Sequence, residues 1–137
     1  MSWIVLDASV TLSWCFPDEQ TPAAMGVLDL LKAGDQALVP AFWCSEVLNS
    51  LLAGERKGRI SADQTQAFLE DLRALRPTLD DVSLERVIHD IQALCRQYAL
   101  ASCDALYVEL AMRSGSPLAT LDKNQRDAAL AVGVTCL

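Results

Sequence analysis

Two short apolar runs in this chain stop at an aspartate: residues 3–6 end at Asp7, and residues 118–121 end at Asp122. Each reads as a buried strand. Further strands are predicted at 36–39, closed by Pro40, at 77–82, and at 134–137. Helical patterns fill the spaces between them. One covers 8–16 and ends before Pro17; another runs from a Thr21 cap, with Pro22 at its first position, to Gly34. A third spans 42–53, followed by a polar, basic turn at 54–59, and Ser61 caps a fourth whose stripe is Thr65, Phe68, Leu69, Leu72 and Leu75. Leu84, Val87, Ile88, Ile91, Leu94, Cys95 and Tyr98 form one amphipathic stripe, and helices follow at 103–113 and 123–131. Strands alternating with helices imply a parallel, doubly wound α/β sheet. In such sheets the active site lies outside the carboxyl ends of the strands.

That rule directs attention to four acids. Asp7 and Asp122 stand where strands stop and are expected at the same edge of the sheet. Glu46 and Asp104 fall in or near the first turns of helices that begin at that edge. Each acid has a plainer reading. Asp7 and Asp122 suit N-caps, the latter with Gln125 three residues on, as in a capping box. Glu46 and Asp104 suit the helix dipole. The joint pattern goes further, because Glu46 and Asp104 sit in strongly apolar stretches where an unpaired charge is costly. Converging carboxylates stay ionised together only with cations among them. Oxygen ligands select hard cations, here Mg2+ or Mn2+. The chemistry favoured is phosphodiester hydrolysis without a covalent intermediate, which needs no histidine base.

Composition narrows the classes. The 137 residues fit one domain, 1–137, with one core, and 52% of them are apolar. The net charge of −7 argues against a protein that coats nucleic acid by neutralising phosphates. Five cysteines, none in a C-x-x-C pair, argue against a disulfide framework or zinc knuckle and for a reducing cytoplasm. Cys15, Cys44 and Cys95 are expected as small core residues. No basic start of a signal peptide and no membrane-length apolar run are found. His89, the only histidine, falls off the apolar stripe of its helix, which leaves Ser-His-Asp and Cys-His catalysis without support.

The same four segments carry a resemblance. Val5-Leu6-Asp7-Ala8-Ser9 resembles the opening motif of PIN domains, and the stretch from Pro40 to Leu51 around Glu46 resembles their second acidic motif. Asp104-Ala105-Leu106-Tyr107 looks like the third, and the stretch from Pro117 to Ala129 around Asp122 looks like the fourth. The order is the family's, and the motifs span nearly the whole chain. The resemblance implies a three-layer α/β/α sandwich with a central parallel sheet of about five strands, and a Mg2+- or Mn2+-dependent endoribonuclease. Its VapC-like branch further implies an antitoxin protein that blocks the cleft, and commonly a homodimer. Residue by residue, Asp7, Glu46, Asp104 and Asp122 match the family's acidic metal ligands, and Ser9 and Asn49 match positions that support the site. Asn49 lies three residues after Glu46, on the same helical face. Ser102-Cys103 departs from the aromatic or threonine that many relatives carry before the third acid.

Other residues read more simply. Arg56, Lys57 and Arg59 suit a solvated turn; Lys123 and Arg126 are better placed to meet an RNA backbone. Asp127 suits a solvated helix face, and Phe42 and Trp43 suit the core. Three further functions compete with the ribonuclease: a catalytically silent PIN-fold interaction module, a phospho-acceptor signalling domain, for which no paired acids near the first strand and no central-strand acceptor Asp are found, and an aspartate-based phosphatase with Asp7 as nucleophile. The phosphatase would carry a second Asp two residues later, where this chain has Ser9.

Overall fold

The computed structural model describes residues 2–137. The apolar run at the start forms β1 (Trp3–Leu6), and Gln36–Pro40 forms β2. Thr78–Asp80 forms β3 and Leu118–Ala119 forms β4. All pair in parallel, in the order β3-β2-β1-β4, with Val5 opposite Leu38 on one side and Leu118 on the other. Successive strands are added outward from β1 on one side until β4 returns to its other flank. The reversal therefore falls between β1 and β4, the position at which open α/β sheets place their ligands.

The sheet has four strands, where the sequence suggests about five. Residues 134–137 supply only a parallel bridge from Cys136 to Leu118, flanked by Leu118 N–H to Thr135 O (2.8 Å) and Leu137 N–H to Leu118 O (2.9 Å). Because β4 is itself two residues long, its outer edge has room for one such pair and no ladder develops.

The helices are α1 (Ala8–Ser13), α2 (Pro22–Lys32), α3 (Trp43–Arg56), α4 (Ala62–Ala74), α5 (Leu84–Arg86), α6 (Gln92–Tyr98), α7 (Ser102–Ser114) and α8 (Lys123–Ala131). A 3-10 turn, Pro17–Glu19, follows α1, and a π turn, Val87–Ile91, joins α5 to α6. The caps follow the side chains available. Thr21 accepts from the Ala24 N–H, and Ser61 and Gln64 close a reciprocal capping box. Gly115 takes the left-handed conformation, φ 64°, that ends α7 before β4. Ile4, Val5, Leu6, Val39, Val47, Leu51, Tyr107, Val108, Leu110 and Leu118 fill the core between sheet and helices. Trp43 joins them, as expected of it, and its indole N–H donates to Thr11 Oγ1 at 3.3 Å. The cysteines are less buried than the sequence suggests. Cys44 is exposed and Cys15 and Cys95 are half-buried; Cys44 lies one residue past the inward face that Trp43 defines. All five thiols are free.

Candidate active site at the carboxyl edge of the sheet

Asp7 is the residue that follows β1. Its backbone N–H bonds Ala119 O at 3.0 Å, which fixes it at the seam between β1 and β4. One carboxylate oxygen caps α1 by accepting from the Ser9 N–H at 2.9 Å, and the other accepts from Gln125 Nε2 at 3.3 Å. Only 6% of Asp7 is exposed. Burial pushes its pKa above the usual carboxylate value, the bonds from Ser9 and Gln125 oppose the shift, and the nearby charge of Asp122 adds to it.

Asp122 caps α8, accepting from the Gln125 N–H at 2.9 Å. Its loop is tied back to α1, because Ser9 Oγ accepts from the Leu121 N–H at 3.0 Å. Ser9 thus holds the β4–α8 loop against the start of α1. Glu46 and Asp104 lie in the first turns of α3 and α7. The Tyr107 hydroxyl donates to Glu46 Oε1 at 2.7 Å, and the Phe42 ring meets Tyr107 edge-on with centroids 5.5 Å apart.

The four acids feel one another. Burial raises the pKa of Glu46, Tyr107 opposes this, and the charges of Asp7 and Asp104 add to it. Burial likewise raises Asp104, with Asp122 and Asp7 adding. The same burial, with the charges of Asp7 and Glu46 beside it, pushes the Tyr107 phenol far up, so it remains a hydrogen-bond donor. Asp7 and Asp122 each cap a helix, as the plainer reading has it, and the charge of each is felt by another of the four acids.

Asn49 does not join this network. It is exposed, and its side chain makes no hydrogen bond among the described residues. Asp127 is exposed and pairs with Lys123 at 3.0 Å, while Arg126 donates to Thr120 O at 2.7 Å. Arg59 is occupied too, bonded to Asp18 and Glu19 and stacked 4.2 Å over Phe16. Two residues that sequence reasoning did not assign prove central. Tyr107 lies three residues after Asp104, a spacing that puts both on one helical face. Gln125, fully buried, bonds Asp7, the Asp104 carbonyl (3.1 Å) and Thr120 Oγ1 (2.5 Å).

The donor set fits a hard divalent cation in one respect and limits it in another. It consists of carboxylate oxygens whose mutual repulsion a cation would relieve. Yet among the described residues no three Asp, Glu, His or Cys side chains are arranged to hold one ion between them. The donors are carboxylate oxygens alone, the ligand type that suits a hard cation such as Mg2+ or Mn2+.

A parallel sheet whose carboxyl edge carries four carboxylates defines a doubly wound α/β domain with an acidic edge. The chain belongs to the PIN domain family, whose pattern it matches over residues 4–130. It is similar to Ribonuclease VapC3 of Pyrobaculum aerophilum, with 29% identity over 120 residues, 88% of this chain and 89% of that protein. Its fold matches PAE2754 from Pyrobaculum aerophilum with a TM-score of 0.73 at 18% identity, covering 99% of this chain and 89% of that one. It also matches VapBC2 from Rickettsia felis, solved bound to a DNA fragment from their promoter, with a TM-score of 0.66 at 13% identity over 100% and 98% of the two chains.

Proposed function

We propose that this chain is a Mg2+- or Mn2+-dependent endoribonuclease and the toxin of a toxin–antitoxin pair. The observation that carries the reading is the gathering of Asp7, Glu46, Asp104 and Asp122, from four distant segments, into one mutually repelling cluster at the sheet's reversal point. The likeness to a VapC ribonuclease and the VapBC2 fold support the same reading. Asp7, Glu46, Asp104 and Asp122 are the residues that would hold the metal. When bound, it supplies Lewis acidity and neutralises charge on the phosphate.

The chain's own residues do the rest. Tyr107 keeps Glu46 aimed into the cleft by donating to one of its oxygens, so the other is left free. Gln125 ties Asp7 to the backbone of Asp104 and fixes the distance between β1 and α7. Ser9 holds the loop that carries Asp122. The proposal extends to residues 1–137 acting as one domain in the cytoplasm, with RNA as substrate, an antitoxin protein as partner and a homodimer as the assembly. No helix among the described residues is long and apolar enough to cross a membrane.

The test is to purify the chain free of any partner and assay a panel of structured RNAs with Mg2+, Mn2+ or EDTA, alongside Asp7→Asn. Cleavage that requires both metal and Asp7 is expected. Folded protein that binds no metal and cuts no RNA would instead identify a silent interaction module.

A further inference from the structure

Beside the acids lies a cavity of about 460 Å3 that the cluster itself does not use. Its walls include Phe42, Val82, Arg86, Ser102, Cys103 and Leu106. Two of these join it to the site. Phe42 packs edge-on against Tyr107, whose hydroxyl holds Glu46, and Cys103 directly precedes Asp104. Cys103 lines the cavity, and its thiol is raised by burial and by the charges of Asp104 and Glu46. The opposite wall comes from the segment between β3 and α6. There Val82 is 42% exposed, and Arg86 is anchored by Asp80, with Nη2 donating to Oδ2 at 3.0 Å.

The wall is mostly apolar, with an aromatic ring at one side, and its polar groups are the Ser102 hydroxyl, the Arg86 guanidinium and the carboxylates of Asp80 and Asp81. A phosphate is a poor occupant. Arg86 is already neutralised by Asp80 and faces Glu109 at 3.2 Å, and the acids next door repel anions. A nucleobase is neutral, flat and apolar on its faces, with polar edges for Ser102 and Arg86 to meet. Docking a base also answers a difficulty of charge. At a net charge of −7, with Arg59, Arg73, Arg86, Arg113 and Lys123 all paired to carboxylates, phosphate neutralisation is a weak source of affinity for RNA. Stacking carries no such charge requirement. Ser102 and Cys103, both small, line the cavity on the side that leads along α7 to Asp104.

We propose that this cavity is the subsite for one unpaired nucleobase adjacent to the scissile phosphate, so that Phe42, Val82, Ser102 and Leu106 determine where the RNA is cut. The proposal rests on the ribonuclease reading for the position of the scissile bond, but the cavity's binding of a base can be measured apart from cleavage. Two variants close it from independent walls, Ser102→Trp at the exposed start of α7 and Val82→Trp in the exposed β3–α5 loop.

The first readout is cleavage of a short RNA pool randomised around the cut. Wild type is expected to favour one base at a single flanking position, and both variants to weaken that preference at least about fivefold. The second is the affinity of single-stranded hexamers of each base for Asp7→Asn, and for Asp7→Asn carrying each tryptophan. The preferred hexamer is expected to lose at least about fivefold in affinity with each filled cavity. If RNA is cut in a metal- and Asp7-dependent way, but base preference and hexamer affinity are the same in both folded variants, the subsite is overturned and the ribonuclease stands. If no RNA is cut, yet hexamer binding falls with both tryptophans, the base site stands and the catalytic reading fails.

Discussion

Gln125 carries more of the site than any neutral side chain. It is wholly buried, and its amide group reaches Asp7, the Asp104 carbonyl and Thr120 Oγ1. Replacing it with Leu leaves the buried Asp7 carboxylate without one donor and the buried Thr120 hydroxyl without its acceptor, which costs about 1–3 kcal/mol for each group left unpaired. Gln125→Leu is therefore expected to lower the urea midpoint clearly and to reduce cleavage more than tenfold even where the protein is folded. A variant with unchanged midpoint would show that water substitutes for the amide. The sequence places Gln125 at the capping-box position after Asp122, and only half of that expectation is met. The Asp122 carboxylate does accept from the Gln125 N–H, but the Asp122 N–H is served by Thr120 Oγ1 at 3.0 Å. With that need met locally, the amide is free to turn inward, a choice that no spacing rule encodes. The four acids were legible because an acid at a strand end or helix start is fixed in place by backbone alone. Asn49, on the same helical face as Glu46, is exposed, and helical spacing alone does not say whether an exposed side chain meets solvent or substrate.

Helix α3 shows where element boundaries escape sequence reasoning. A glycine after an apolar stripe reads as a stop, and the polar residues after Gly54 reinforce that reading. The helix instead continues to Arg56, because Gly54 is the point at which α3 meets Phe16. A Cβ there would stand 2.9 Å from Phe16 Cζ and 3.1 Å from Ile60 Cγ2. In an open helix, Gly→Ala is worth about 1 kcal/mol in favour of alanine. Here the Phe16 ring is buried and covered by Arg59, itself held by Asp18 and Glu19, so the ring has little room to yield. Gly54→Ala is expected to be destabilising by about 1–2 kcal/mol net, as overpacking outweighs propensity. A rise in the urea midpoint would show that the ring moves freely. The stripe from Leu84 to Tyr98 misleads in a related way. It reads as one uniform helix, yet the π turn at Val87–Ile91 inserts a residue and shifts the phase. Ile91 and Leu94 are buried, while Leu84, Val87 and Ile88 are exposed. Nothing in the apolar spacing marks that change of phase.

At the scale of the whole molecule, the acidic cleft is expected to set how stability responds to pH. Asp7, Glu46 and Asp104 all have folded pKa values raised above the ordinary ones, chiefly by burial and then by each other's charge. The folded chain therefore holds protons that the unfolded chain releases, and the sign follows from linkage. Below about pH 4, near the ordinary carboxylate values, these groups are protonated in both states and impose no penalty. As pH rises past those values the unfolded state ionises first. The penalty on folding then grows, and it is complete above the raised folded values. Without metal, these groups make the protein less stable at neutral than at mildly acidic pH. Asp104→Asn removes one of the charges and is expected to raise the metal-free Tm at pH 7 by about 1–3 °C, a modest gain because Asp104 is only half-buried and water screens part of the repulsion. A divalent cation that binds the ionised cluster acts in the same direction by mass action. At a concentration one hundred times its Kd it adds about 2.7 kcal/mol, roughly 8–10 °C for a chain of this length. Thermal unfolding with and without Mn2+ at pH 7 and pH 4.5 checks the whole scheme. The gain should be large at pH 7, shrink at pH 4.5 where protons compete for the carboxylates, and fall in Asp104→Asn. A Tm indifferent to Mn2+ at pH 7, with Asp104→Asn no more stable than wild type, would mean that the four carboxylates do not act as one charged site.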